Sequence, residues 1–358
     1  MQAMKPLVGL LSAVVLSFGS AAFAQQFSGQ TVTMIVNYPA GGPTDIEARI
    51  VAKYLPRYLQ GVSSAIVRNV PGAGGNIGVN ALGEAAGRDR LNISFFTWDP
   101  VDPLIQHPSL RVRYQDLKFI AGFQSVALLY ARRDTPPGIT RPADIAKAKL
   151  FRAGGLSPTN IATTRQRLAL DLLGATYESI PGYKGLHDVE VAVRQGDIQV
   201  TTTSLPTWYG SVKPTLVDTG IVMPLFQYDY ESADGALGRS PAFPDVPSFL
   251  EVYKQIYGNV GTPAGPKWEI LRLLSKIMDN MFRTVFMPPS APAAAVTEMR
   301  SAMERLEKDA EFIADYERVV RTKPRLVIGA RGERYVAELG KAPPALVDFL
   351  RKYVKVGQ

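Results

Sequence analysis

Residues 31–45, TVTMIVNYPAGGPTD, decide how this chain is read. Thr31 to Tyr38 are β-rich and mostly apolar, which suits a strand buried on both faces of a parallel sheet. Pro39, Ala40, Gly41, Gly42, Pro43, Thr44 and Asp45 then make a glycine turn, after which Ile46, Ile50, Val51, Tyr54, Leu55 and Tyr58 recur at helical spacing. Strand, turn and amphipathic helix follow directly on one another, which is a βα unit.

The pattern repeats downstream. Ala65 to Val67 read as a strand, Pro71, Gly72, Ala73, Gly74, Gly75 and Asn76 as its turn, and Ile77 to Ala86 as a helix of small residues. Leu91 to Trp98 give a third strand. Such alternation implies a mostly parallel, doubly wound sheet whose ligand crevice lies at the carboxyl ends of the strands, where both glycine turns fall. A second α/β set begins at Leu150, with Ser157 and Pro158 starting a helix and Gly174 closing it. Pro181 to Gly185 form another turn, and Ile221 to Tyr228 read as the strand returning to the first lobe. The last third is helical, from Trp268 to Met281 and from Ala291 to Lys308 onward.

A glycine turn leading into a helix is a natural anion cradle, because the first-turn amides lack intrahelical partners and the helix end is positive. Glycine also permits tight turns and close helix packing, and the sequence leaves both readings open. Asp45 stands either as a ligand contact or as a charge favourable to its own helix start. Ser157, Thr159 and Asn160 open a helix of the second set, where capping alone explains the serine. Tyr183, Thr202 and Thr203 end elements there and carry hydroxyl donors. Thr97 and Trp98 end the third strand, Trp98 as cleft wall or as core.

Other chemistries fit poorly. The chain has no Cys and two His, His107 and His187, which removes thiol chemistry and Cys-based metal sites. No metal spacing and no nucleophile elbow occur, so no catalytic, metal or cofactor residue is assigned. Ile77 stands where the dinucleotide fingerprint needs glycine, and the turn lacks the P-loop lysine. The formal net charge of +8 is scattered among acids, which argues against nucleic acid and reads either as a bias toward anionic ligands or as a solubility charge spread over the surface. Lys5, the apolar run Leu7 to Phe18 and Ala22-Phe23-Ala24 read as a secretory signal cleaved after Ala24. That places the mature chain in the periplasm.

Pro39 to Asp45 and Pro71 to Gly78, followed in order by Gly154 to Asn160, Pro181 to Gly185, Ser240 to Pro247 and Pro288 to Pro292, resemble the substrate-binding receptors of the tripartite tricarboxylate transporters. The resemblance spans most of the mature chain. It implies an α/β, two-lobed periplasmic binding protein fold of type II-like order, with mostly parallel sheets and two crossing segments. It implies a discontinuous first lobe, 25–127 and 229–358, around a second lobe at 128–228. It further implies a monomer that closes on a small organic carboxylate and delivers it to integral membrane transporter subunits. Ligand contacts are then expected at Ala40 to Asp45, Gly72 to Asn76, Ser157 to Asn160 and Tyr183. A sensory receptor signalling to a membrane kinase is the alternative, and a secreted hydrolase a third. Thr203 replaces an acid common in this family and Asn160 a histidine, and the second-lobe turn is one residue shorter. Loss of the acid removes a partner for a ligand ammonium, which favours a di- or aromatic carboxylate over an amino acid.

Overall fold

The computed structural model describes residues 29–85, 91–232, 235–259 and 261–355. The expected secretory signal lies outside the described residues. β1 (Gln30–Val36), α1 (Pro43–Tyr54), β2 (Val62–Asn69), α2 (Asn76–Gly83) and β3 (Leu91–Thr97) alternate as the sequence suggested. Val32, Met34, Ile35 and Val36 are fully buried, as a strand covered on both faces requires. The chain continues through α3 (Val101–Ile105), β4 (Lys118–Phe123), β5 (Ala127–Arg132), β6 (Phe151–Gly154), α4 (Ile161–Leu172), β7 (Tyr177–Ile180), α5 (Leu186–Gln195), β8 (Val200–Ser204) and β9 (Val222–Gln227). A short hairpin of β10 (Tyr230–Glu231) and β11 (Leu237–Gly238) precedes α6 (Phe249–Tyr257) and α7 (Pro266–Asn280). The last elements are β12 (Arg283–Met287), α8 (Ala293–Leu306), α9 (Ala310–Val320), β13 (Leu326–Ile328), α10 (Ala330–Glu338) and α11 (Pro344–Lys355).

The strands form a six-stranded sheet, β13-β4-β12-β3-β1-β2, and a five-stranded sheet, β7-β6-β8-β5-β9. In the first, β1, β2, β3 and β4 run one way and β12 and β13 oppose them. In the second only β5 opposes the rest. Both halves therefore share one plan, three parallel strands, then an inserted antiparallel strand, then a fourth parallel one. The inserted strands are also the connections: β5 takes the chain into the second half and β12 brings it back.

The connections touch each other. The Ser125 amide donates to the Asp279 carbonyl at 3.2 Å, and Gln124 Nε2 donates to Asn280 Oδ1 at 3.0 Å. The return thus falls at Met281 and Phe282, and Ile221 to Tyr228 is not the returning strand, since β9 pairs with β5 inside the second sheet. The segment carrying α6 and α7 likewise sits with the second half, although the sequence reading placed everything after 229 in the first. Phe249 packs edge-on against Phe226 of β9, and Lys267 reaches Asp171 of α4 at 2.7 Å. Helices with strong apolar faces follow the surface that buries those faces, and chain order does not dictate which half that is. Among the described residues no helix is long and apolar enough to cross a membrane.

Candidate functional site

A cavity of about 380 Å³ opens between the halves, within the range of small-ligand sites. Two helices from opposite halves begin at its wall. α1 starts at Pro43 behind Gly42, and α5 starts at Leu186 behind Gly185, and neither glycine supplies a capping side chain. The amides of Thr44 and Asp45 in α1, where Pro43 has no N–H, and of Leu186 and His187 in α5 are left for another acceptor, whereas Ile46 N and Asp188 N already donate to the Gly42 and Gly185 carbonyls. Between these ends the lining is largely apolar, with Leu156, Ile161, Met278 and Phe282, and it includes two buried arginines, Arg165 and Arg283.

Several of the residues chosen from the sequence meet here. Pro39, Ala40, Gly41, Gly42, Thr44, Thr97, Asn160, Thr202 and Thr203 all line the cavity. Thr44 and Thr97 share a 2.7 Å hydroxyl contact, and Thr97 Oγ1 also accepts from Arg283 at 2.9 Å. Arg283 is held by Glu47 at 3.0 and 2.7 Å, with Tyr316 donating to the other Glu47 oxygen at 3.0 Å. Its charge is therefore matched within the protein. Thr203 Oγ1 is buried without a hydrogen-bond partner.

Asp45 lies behind the first turn and is no part of the cavity wall. It accepts from the Gly41 amide at 2.9 Å, from Asn69 at 3.0 Å and from Arg49 in a two-point pair. Burial would raise its pKa, but the Arg49, Gly41 and Asn69 hydrogen bonds outweigh that and hold it below the usual carboxylate value. Its work is to fix the turn, and Gly41 at φ 79° is a position where glycine is needed.

The second glycine turn is displaced from the cavity, and with it Gly72, Ala73, Gly74, Gly75 and Asn76. A Cβ on Gly75 would sit 2.6 Å from Asn37 Nδ2, and one on Gly78 would sit 2.9 Å from the Val70 carbonyl. These glycines let α2 pack onto the ends of β1 and β2, which is the packing reading. Ser157 and Thr159 face the same seam rather than the cavity: a Cβ on Gly74 would lie 3.5 Å from Ser157 Oγ and 4.0 Å from Asp102 Oδ2. Tyr183 is half-buried, packed against the apolar core and outside the cavity lining. Trp98 is core as well, fully buried and edge-on to Tyr114 at 6.0 Å.

That seam fastens the halves together. Asp99, just past β3, accepts from Val101 N at 3.0 Å in its own half. Across the gap it accepts from Ile161 N at 2.9 Å and Asn160 Nδ2 at 3.2 Å. Asn160 Nδ2 also donates to Tyr38 Oη at 3.0 Å, and Tyr38 donates to the Gly74 carbonyl at 3.2 Å. The start of α4 is thereby filled by the protein's own carboxylate, unlike the starts of α1 and α5. Burial, and then repulsion from Asp102, push the Asp99 carboxyl well above its usual range.

Sequence reasoning missed Tyr38, Arg165, Tyr228, Phe282 and Arg283, all in the wall. The glycine N-cap of α5 was within reach, since Gly185 before an amphipathic run mirrors Gly42. At the mouth His187 and Asp188 are exposed, so one acid does stand near the opening.

Asp279, behind Arg165, gives a test of the burial. Burial raises its pKa to about 7 against the opposing pull of Arg165. A carboxyl raised on folding binds more protons in the native state, so stability falls as pH rises from its unfolded value near 3.9 to about 7. Asp229, raised to about 6 chiefly by burial, acts with the same sign. The unfolding midpoint of Asp279→Asn should vary less with pH over this window than that of the wild type. An unchanged slope would place Asp279 in contact with water.

No protein-family model matches the chain. A curated relative, the UPF0065 protein in the gbd 5' region of Cupriavidus necator, is 24% identical over 312 residues, spanning 82% of this chain and 86% of its own length. Among solved structures, MatC from Rhodopseudomonas palustris with bound malate superposes with a TM-score of 0.62 at 17% identity, covering 91% of this chain and 99% of that one. A second protein of R. palustris, solved with adipate, gives 0.64 at 19% identity, covering 91% and 96%. The fold is that of the TctC and BugD type of periplasmic solute-binding protein.

Proposed function

We propose that the protein is an extracytoplasmic receptor that captures a small organic carboxylate in the cavity between its halves and delivers it to a membrane transporter of the tripartite tricarboxylate type. The observation that carries this reading is the pair of helix starts, α1 behind Gly42 and α5 behind Gly185, facing one apolar cavity from opposite halves without side-chain caps. Aligned amides of this kind favour an anion, and the apolar wall suits the carbon body of an organic acid. Malate and adipate in the two similar structures are acids of this description. Export to the periplasm with cleavage after Ala24 belongs to the same proposal. No covalent step is involved: one carboxylate docks on the first turn, the second half closes over it, and the closed form engages the transporter.

Thermal unfolding with malate or adipate tests the site. A Cβ placed on Gly41 would meet nothing within 4 Å, but the φ of 79° is one a β-branched side chain strongly resists. Gly41→Val should therefore distort the turn without a clash, leaving the midpoint of the free protein within a few degrees. The ligand-induced rise seen in the wild type should disappear. A rise of the same size in the variant would remove the first turn from the site.

A further inference from the structure

Arg165 projects from α4 into the cavity wall while only 2% exposed. A guanidinium carries five donors, and a strong pair to a carboxylate lies near 2.7–2.9 Å. Here the contact to Asp279 Oδ1 is a single one at 3.5 Å, while Arg165 Nε and Asp279 Oδ2 have no hydrogen-bond partner. The guanidinium carbon lies 3.6 Å from the centre of the Tyr228 ring, which holds the group against that face. Arg283 in the same wall shows the contrast, with Glu47 and Thr97 both held at 3.0 Å or less. One buried cation of the cavity is matched, and the other is poorly matched.

We propose that Arg165 selects the ligand, the second acidic group of a bound diacid taking the guanidinium over from Asp279, which serves as a displaceable internal counter-ion. This rests on the carboxylate-capture reading of the cavity. One carboxylate docks on the first turn, the apolar chain crosses the wall, and the other carboxylate forms with Arg165 the pair that Asp279 makes at 3.5 Å. The charged and titratable groups around Asp279 are Arg165 from α4 and Tyr228 and Asp229 from the segment after β9. Released from Arg165 beside Asp229, Asp279 takes up a proton at neutral pH, as its position near 7 supports.

Calorimetry with adipate and with hexanoate, its match in length with one acid group, separates the outcomes. The wild type should bind adipate at least tenfold more tightly than hexanoate, with proton uptake seen by comparing buffers of different ionisation enthalpy. Arg165→Met should lose at least tenfold on adipate and little on hexanoate. Asp279→Asn, which keeps the arginine and removes its competitor, should bind adipate more tightly than the wild type and without proton uptake, and it stands as the test if Arg165→Met fails to fold. Equal affinity of the wild type for the two acids, or equal losses on both in Arg165→Met, overturns the subsite while leaving carboxylate capture intact. Binding of neither acid by the wild type overturns the proposal together with the reading beneath it.

Discussion

Replacing Glu47 by alanine should cost the fold about 3–5 kcal/mol, the loss expected when one member of a buried ion pair is removed and the other stays behind. Arg283 and Glu47 are 3% and 2% exposed. Without the carboxylate, the guanidinium keeps Thr97 and its stacking on Phe282, neither of which offsets a desolvated charge. Tyr316 loses its acceptor in the same step. Urea denaturation measures the cost, and a change below about 1 kcal/mol, the usual worth of an exposed pair, would mean that water reaches Arg283. Glu47→Gln refines the test, because the amide oxygen can still accept from Tyr316 while the negative charge is gone. This variant should be less stable than the wild type yet gain more stability from adipate, since Arg283 then faces the cavity with an unmatched charge. An adipate effect equal to that of the wild type would mean that the arginine does not sense the ligand.

The second large effect is expected at Asp99, whose carboxylate joins the halves. Asp99→Ala leaves the buried amides of Val101 and Ile161 without their acceptor, each at about 1–3 kcal/mol. One of those donors lies across the gap, so part of the loss falls on the closed arrangement alone. Once the open form dominates, every 1.4 kcal/mol taken from the closed form lowers apparent affinity about tenfold. The variant should bind adipate at least tenfold more weakly, and the free protein should have a larger radius of gyration in solution scattering. Unchanged affinity and radius together would reduce the seam to local packing. Asp99→Asn, which retains one acceptor, should fall between the two.

How far the sequence carries the structure follows from the range of the interactions involved. The unit from Thr31 to Tyr58 was legible because a buried strand, a glycine turn and an amphipathic helix each leave a local pattern. β12 was not. Arg283 to Met287 form a short antiparallel insertion between strands far away in the chain, and nothing near them records that pairing. The same insertion hid the second crossing and drew the boundary to Tyr228.

At the site, glycine content was an ambiguous guide. Gly41 and Gly42 mark the cavity, whereas Gly75 and Gly78 serve close packing against Asn37 and Val70. The two uses have the same composition and differ only in what stands opposite. Arg165 reads in sequence as one more polar position on a helix, and Tyr228 as the end of a strand. Their significance arises where α4 meets the segment that returns the chain to the first half, which is a tertiary fact.

The central claim is that the cavity holds negative charge on an organic body. Titration calorimetry of the protein with malate, adipate and benzoate, each beside its uncharged amide, tests it most directly. We expect saturable binding at one site per chain for at least one of the acids and none for its amide. Equal binding of acid and amide, or no binding of any acid by folded protein, would contradict it.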